Sequence, residues 1–246
     1  GENLKVWTGT SWEEFDVLDR GSCQLATIEL SNGMLLKCDT RHEVLVVGGH
    51  GYEFRHFSKL DEDTEICVSI PKMMETGAYP PKYTSRKHSH AEAFEIDERG
   101  QWIMLSYLLG VLVGDGDIQY ECGKVRFCFG EDKLKTIYPV ISEFLKSLGI
   151  HVQEPYRNRN SKGVSYIISA NSVTLIELIK EMGFDKNGAH NKRIPKRIFS
   201  SPPDMRIAFL KGYFDTDGCK NRRNRYGYHT PNVELLREVQ LLGWTL

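Results

Sequence analysis

Several features are scarce in this 246-residue chain, and each absence excludes a class of protein. No apolar run is long enough to cross a bilayer, and the N-terminus lacks the pattern of a signal peptide. The six cysteines are scattered without a CxxC pair, so the sequence predicts neither a zinc ribbon nor a disulfide framework. We therefore expect a soluble, cytoplasmic protein with reduced thiols and no membrane partner.

Net charge is also close to zero, at −1, but it is unevenly distributed along the chain. Residues 1–96 carry 10 Lys and Arg against 16 Asp and Glu, whereas residues 97–246 carry 22 against 17. A negative first part and a positive second part indicate two modules, and the positive one suits a polyanion. A solvated basic surface without a partner is the alternative on charge alone.

What the sequence does contain is one short pattern repeated 102 positions apart. Leu108–Gly116 reads LLGVLVGDG and Leu210–Gly218 reads LKGYFDTDG. Each copy predicts a helix with small residues four apart, a spacing that lets two helices approach backbone to backbone. A Gly after the last turn suits a helix C-terminus. Packed together, the helices would bring Asp115 and Asp217 side by side, where a hard divalent cation fits. Either copy alone would fit an ordinary core helix.

The two segments resemble the paired dodecapeptide motifs of LAGLIDADG homing endonucleases. The resemblance implies motif helices at the interface between two αββαββα half-domains, and a last acidic residue in each motif that binds catalytic metal. The matching positions are Asp115 and Asp217. The first copy departs from the family at Val113, where Asp is usual, while the second keeps Asp215. That position is mostly structural in the family, so the metal pair is retained.

The resemblance also implies the chemistry of the site. Hydrolysis of a DNA phosphodiester needs an activated water and cations that neutralise developing charge. We expect Mg²⁺, with Mn²⁺ as a substitute, held by the two Asp residues and by the backbone carbonyls of Gly114 and Thr216. Lys192 stands where the family has a lysine near the active site, and such a lysine can organise the attacking water or offset charge. The alternative for Lys192 is a basic loop that touches only phosphate.

Basic and amide side chains on the expected hairpins and loops are candidate contacts to double-stranded DNA. The hairpins would form a saddle over the major groove, because alternate side chains share one face of a strand. The candidates are Gln119, Lys124, Arg126, Arg157, Arg159 and Lys162, then Arg193, Lys196 and Arg197, then Arg222, Arg223 and Arg225. Most of these contacts should be to phosphate, and soluble Arg-rich hairpins are the alternative.

The pattern over 97–246 predicts one complete half-domain, near 97–190, and one abbreviated half, near 200–246. The expected elements are a helix at 101–114, strands at 118–120 and 124–129, a helix at 132–148, strands at 151–156 and 164–169, and a helix at 172–182. The second half offers a helix at 206–216, a hairpin at 219–230 and a helix at 232–242, and so lacks two strands and a helix. Residues 73–96 predict an exposed linker. With both motifs in one chain, we expect a monomer.

Residues 1–72 predict an all-β module that resembles part of the Hint fold of inteins. Asn32-Gly33 is a hairpin signal between two strands. In the following segment His42 matches a histidine that assists the first acyl shift of inteins, but Asp39 stands where a Thr is expected. The chain shows neither terminal nucleophile, so we expect that it does not splice by that mechanism.

The fold class expected is therefore α+β, with a partial Hint-like domain followed by a pseudo-symmetric endonuclease domain whose second half is incomplete. The expected function is site-specific cleavage of double-stranded DNA in an intein-associated context. Two alternatives stay open: a catalytically degenerate DNA-binding or maturase-like RNA-binding module, or part of a protein-splicing element.

Overall fold

A computed structural model describes residues 5–7, 11–16, 21–68, 77–86, 93–160, 163–185, 188–220 and 224–246. The chain divides into two compact units, Gly1–Lys72 and Met73–Leu246. No helix in the ranges just given is long and apolar enough to cross a membrane. The mixed α+β composition predicted from the sequence is confirmed.

The first unit is built from antiparallel hairpins. β1 (Lys5–Trp7) pairs with β2 (Trp12–Glu14), β3 (Leu25–Glu29) with β4 (Leu35–Asp39), and β5 (Glu43–Gly48) with β6 (Gly51–His56). The Asn-Gly turn lies where the sequence indicates: Gly33 has a φ of +84°, and the Asn32 side chain accepts the Met34 N–H at 3.0 Å. Beyond these hairpins, Ile66 forms an antiparallel bridge to Val46.

The second unit alternates helices and strands. Its helices are α1 (Arg99–Asp115), α2 (Glu131–Thr136), α3 (Tyr138–Ser147), α4 (Val173–Glu181), α5 (Lys196–Phe199), α6 (Pro203–Asp217) and α7 (Val233–Trp244). Its strands are β7 (Tyr83–Thr84), β8 (Glu95–Ile96), β9 (Gly116–Gln119), β10 (Lys124–Phe129), β11 (Tyr156–Asn160), β12 (Gly163–Asn171), β13 (Gly218–Lys220) and β14 (Tyr226–Tyr228).

The central sheet has the strand order β11-β12-β10-β9, and all its pairs are antiparallel. Val125, Phe127 and Phe129 alternate along β10 and are buried, because successive side chains of a strand point to opposite faces. They join the core that also contains the buried faces of α1, α3 and α4. One face of the sheet therefore carries the helices, and the other carries the polar side chains between these apolar positions.

The element order expected for 97–190 is confirmed, with two differences. The helix expected over 132–148 is two helices separated at Ile137, because Pro139 lacks an N–H and its ring clashes with the carbonyl four residues earlier. The strand expected at 151–156 is β11, at Tyr156–Asn160; only Val152 forms a bridge before it, to Ala170. In the second half, Asn232 caps α7 by accepting the Leu235 N–H at 3.1 Å.

The segment expected as an exposed linker, 73–96, is packed where it is described. β7 pairs with β8, and Phe94 and Ile96 are buried in the core of the second unit. Tyr79 donates a hydrogen bond to Asp204 at the start of α6, and Arg99 of α1 donates to the same carboxylate at 2.8 Å. The sequence does not predict these two strands, because two residues are too few to show an alternating pattern.

Candidate active site

Helices α1 and α6 contact each other backbone to backbone. A Cβ added to Gly110 would lie 2.1 Å from the Phe209 carbonyl oxygen, and one added to Gly212 would lie 2.2 Å from that of Tyr107. Further along, a Cβ on Gly114 would lie 1.9 Å from the Thr216 hydroxyl oxygen. Each glycine is therefore required by the close approach, as the repeated spacing predicts.

The glycines that follow the two helices serve a different purpose from the one expected. Gly116 and Gly218 have φ values of −110° and −75°, so neither adopts the left-handed conformation of a typical C-terminal glycine. A Cβ on Gly218 would instead lie 2.3 Å from the Phe214 carbonyl oxygen. The helices do end at the Asp-Gly steps, but the glycines are needed for space.

The packing brings Asp115 and Asp217 to the same end of the helix pair. Burial raises the pKa of Asp217, and the charge of Asp115 raises it further, while the charges of Lys133 and Lys192 lower it. The two carboxylates therefore interact, close to the carbonyl ends of both helices, which carry partial negative charge. The arrangement requires positive charge nearby.

Lys192 provides part of that charge. Its ammonium donates to the carbonyl oxygens of Leu112, Gly114 and Gly116, at 3.0, 3.0 and 2.6 Å, and the residue is only 5% exposed. Burial lowers its pKa, and the neighbouring aspartates oppose that shift. An ammonium has three N–H donors, so all are used on carbonyls in the last turn of α1 and at Gly116, the first residue of β9. This geometry favours a positioning role over the direct contact with water or phosphate that we expected.

Lys133 provides a second positive charge, and the sequence did not single it out. From the first turn of α2 its ammonium donates to Asp115 Oδ2 at 2.5 Å and to the Thr216 carbonyl oxygen at 2.6 Å. It thus joins a residue of α1 to a residue of α6. No local pattern distinguishes Lys133, which in the sequence is one of several charged residues in the helix predicted over 132–148.

Asp215 and Val113 behave as structural residues. Asp215 accepts a hydrogen bond from Tyr107 of α1 at 2.8 Å and pairs with Lys211 at 2.6 Å. Val113 is 2% exposed. Val113, where the resemblance led us to expect Asp, therefore lies at an apolar packing position.

The oxygens gathered at this end fit a hard divalent cation. They are the Asp115 and Asp217 carboxylates and the Gly114 and Thr216 carbonyls, and Mg²⁺ keeps several waters and so needs few protein ligands. Across the described part of the chain, no three His, Cys, Asp or Glu side chains gather as a metal-binding group. Any metal would depend on the two carboxylates, with carbonyls and water completing its coordination.

The candidate DNA contacts on the central sheet lie on two faces. Gln119, Lys124 and Arg126 share the face opposite the buried side chains of β10. Arg157 of β11 and Phe129 of β10 both pair with Tyr166 of β12, and Phe129 is buried. Since paired residues point the same way, Arg157 lies on the helix-bearing face, and Arg159, two residues on, shares it. The register thus separates residues that we expected on one surface.

Arg126 is held in a fixed orientation. Its guanidinium donates to both carboxylate oxygens of Asp117, with Nη2 at 3.0 Å from Oδ2. Gln119, with its amide turned to accept, takes N–H groups of the same guanidinium at 3.1 and 3.3 Å. Both partners are on β9, the neighbouring strand.

Of the remaining candidate DNA contacts, some form ion pairs within the protein, some are exposed, and some lie outside the described residues. Arg193 donates to Asn232 Oδ1 at 2.8 Å and lies 3.7 Å from Glu238, so it ties the loop before α5 to α7. Arg197 pairs with Glu181 at 3.4 Å, and Lys196 and Arg225 are exposed. Lys162, Arg222 and Arg223 lie outside the described residues.

The two splicing-related residues lie in the first unit. Asp39 forms a short ion pair with Arg41, and its hydrogen bonds to Arg41 lower the pKa of Asp39 to about 2. His42 is exposed, and its N–H donates to the Asp39 carbonyl oxygen at 2.9 Å. Asp39 is therefore an ion-paired carboxylate at the end of β4.

Residues 204–243 match the family model described as LAGLIDADG-like domain. This stretch contains the second Asp-Gly motif, most of α6, the β13–β14 pair and nearly all of α7. The chain thus contains a LAGLIDADG-like domain match in its second half.

The curated relatives are much longer proteins. The chain is 30% identical over 146 residues to a probable translation initiation factor IF-2 of Methanocaldococcus jannaschii, covering 58% of this chain and 11% of that protein. It is 32% identical over 122 residues to a replication factor C small subunit of the same organism, covering 50% and 6%. It is 32% identical over 149 residues to a DNA polymerase of a Thermococcus species, covering 58% and 8%.

Two solved structures are similar to part of this chain. The homing endonuclease I-DmoI in complex with DNA and Ca is 22% identical, with a TM-score of 0.43, covering 59% of this chain and 73% of that one. Full-length DUF199/WhiA from Thermatoga maritima is 17% identical, with a TM-score of 0.35, covering 52% and 37%.

Proposed function

We propose that this chain is a metal-dependent, site-specific homing endonuclease that cuts double-stranded DNA. The observation that carries the proposal is the backbone-to-backbone packing of α1 and α6, which places Asp115 and Asp217 together beside two helix ends. The LAGLIDADG-like match at 204–243 supports it independently. We further propose that the chain acts as a monomer, since both motifs lie in it.

Each residue has a defined task in this proposal. Asp115 and Asp217 hold Mg²⁺ with the carbonyls of Gly114 and Thr216. Bound there, the cation would neutralise charge on the scissile phosphate and lower the pKa of a water. Lys192 fixes the last turn of α1, and so the direction of the Gly114 carbonyl, through its three hydrogen bonds. Gln119, Lys124 and Arg126 present one polar face of the sheet to DNA.

We also propose that the endonuclease is intein-associated. Its relatives are named as an initiation factor, a replication factor and a polymerase, and the chain matches 11% or less of each. A segment shared by proteins of such different function is typical of an inserted element. The hairpins of the first unit are consistent with a partial Hint-like domain, in which Asp39 and His42 would be the splicing-related residues.

The test is incubation of the full chain with a plasmid that carries the host-gene junction without the insertion. We expect linear DNA with Mg²⁺ or Mn²⁺ and intact plasmid with EDTA. Retained binding without cutting in both Mg²⁺ and Mn²⁺ would overturn the proposed enzyme activity and leave a DNA-binding module. A scrambled junction in the same plasmid controls for nonspecific cleavage.

A further inference from the structure

Lys133 contacts oxygens from both motif helices. Its ammonium lies 2.5 Å from Asp115 Oδ2 on α1 and 2.6 Å from the Thr216 carbonyl oxygen on α6. These are two of the oxygens that the proposed function assigns to the metal. A lysine ammonium and a divalent cation at these atoms would therefore compete for the same acceptors.

The two lysines of the site differ in exposure and in the atoms that they contact. Lys192 is 5% exposed and uses all three donors on carbonyls at the end of α1 and the start of β9, so it is a fixed part of the site. The Lys133 side chain is 31% exposed, and its ammonium makes these two contacts. A long aliphatic stem can carry its charge into water while its backbone stays in place.

The positive charge of Lys133 offsets negative charge in the site. Two carboxylates and two helix C-termini repel one another without a cation. Lys133 and Lys192 both lower the pKa of Asp217, which burial and Asp115 raise. Of these two lysines, Lys133 donates to a carboxylate, that of Asp115, whereas Lys192 donates to backbone carbonyls.

We propose that Lys133 is the resident counter-ion of the metal-free site, and that a divalent cation binds by displacing its ammonium from Asp115 and Thr216. This inference rests on the metal assignment of the proposed function. It makes Lys133 a determinant of metal affinity: the lysine stabilises the metal-free protein and opposes metal binding.

The test measures Mn²⁺ binding to the full chain by electron paramagnetic resonance, without DNA. Lys133→Met should bind Mn²⁺ about fivefold more tightly than wild type, the size expected for removal of one partly exposed ion pair. In EDTA the variant should unfold about 2–4 °C lower, and saturating Mn²⁺ should remove that deficit. Lys133→Gln loses the charge but keeps a donor for Thr216, and it should show the same gain in affinity. It replaces the Met variant as the test if that variant folds poorly.

The matched control is Lys135→Met on the same helix. Lys135 pairs with Glu131 at 2.9 Å and its side chain is 68% exposed, so the variant makes the same change in charge away from the site. Its Mn²⁺ affinity should stay within about twofold of wild type, because exposed charges are screened by salt.

Three results would overturn the inference: unchanged affinity in both Lys133 variants, weaker affinity in both, or an equal gain in Lys135→Met. If one of them occurs while wild type still cuts DNA with Mg²⁺, the displacement alone is wrong. If wild type neither binds Mn²⁺ nor cuts, the metal-dependent function is wrong as well.

Discussion

At the scale of single residues, Lys192 connects the loop before α5 to the end of α1. Its ammonium donates to the carbonyls of Leu112, Gly114 and Gly116, near a helix end where backbone acceptors lack intrahelical partners. The Leu112 carbonyl also accepts the Gly116 N–H. Because the residue is buried, the carbonyls would lose these donors without gaining water. The orientation of the Gly114 carbonyl therefore depends on a residue 78 positions away.

Lys192→Met should lower the free energy of unfolding by about 2–3 kcal/mol, the cost of leaving buried acceptors unpaired. Urea denaturation of the metal-free protein measures it. Lys196→Met, at an exposed position of the same segment, should change stability by less than about 0.5 kcal/mol. Equal losses in the two variants would show that the hydrogen bonds of Lys192 contribute nothing specific.

Arg126 is the side chain best prepared to read a base, because Asp117 and Gln119 already fix its guanidinium. Arg126→Ala should weaken binding to the junction DNA by about 1–3 kcal/mol, the range of a specific Arg contact to a base. Fluorescence anisotropy at fixed salt measures it. Arg157→Ala removes the same charge from the other face of the sheet and should cost less; a larger loss there would place the DNA on the helix-bearing side.

At the scale of elements, the contact between α1 and α6 determines the geometry of the site. Gly110→Ala should destabilise the protein by about 1–3 kcal/mol, since its Cβ would overlap the Phe209 carbonyl and force the helices apart. Thermal unfolding tests it. Gly100→Ala lies in the same helix with no atom within 4 Å of its Cβ, and should be neutral or slightly stabilising. Similar losses at both positions would contradict the close packing.

Helix α7 holds the segment that carries Lys192 through Glu238, which accepts the Ile194 N–H at 2.8 Å. Burial raises the pKa of Glu238, against the opposing effects of that hydrogen bond and of Arg193. A raised pKa in the folded state means that stability is lost as pH rises through it.

Glu238→Gln imitates the protonated carboxyl. Its stability relative to wild type should increase as pH rises from the ordinary Glu pKa through the raised one, and then level off. Denaturation at a series of pH values measures the difference. A variant whose relative stability falls with rising pH would show that the ion pair with Arg193 outweighs burial.

The elements differ in how far the sequence could predict them. The strand β10 and the helix α4 follow from periodicity. Helix α1, which is buried on all sides from Leu105 to Val113, and its contact with α6 follow from the repeated motif with its small residues four positions apart. The strands β7 and β8 are too short to leave a period. The separation of Arg157 from Arg126 needs the strand register, which depends on pairing between distant segments.

At the scale of the whole molecule, the site is assembled from distant parts of the chain. A resemblance to a family motif singled out the two aspartates and Lys192, and in the structure their charges interact at one end of the α1–α6 pair. The resemblance gave no sign of Lys133, which meets Asp115 across 18 positions and Thr216 across 83. Such contacts follow from how α2 packs after the β9–β10 hairpin, and no local pattern encodes that.

The central claim is that Asp115 and Asp217 together hold the metal that cuts DNA. Single-turnover cleavage of the junction plasmid in Mg²⁺, by wild type, Asp115→Asn and Asp217→Asn, tests it most directly. Both variants should bind the DNA as wild type does and cut it more than about a hundredfold more slowly, since even outer-shell changes at metal sites cost up to that much. Cleavage at the wild-type rate by both variants would contradict the claim.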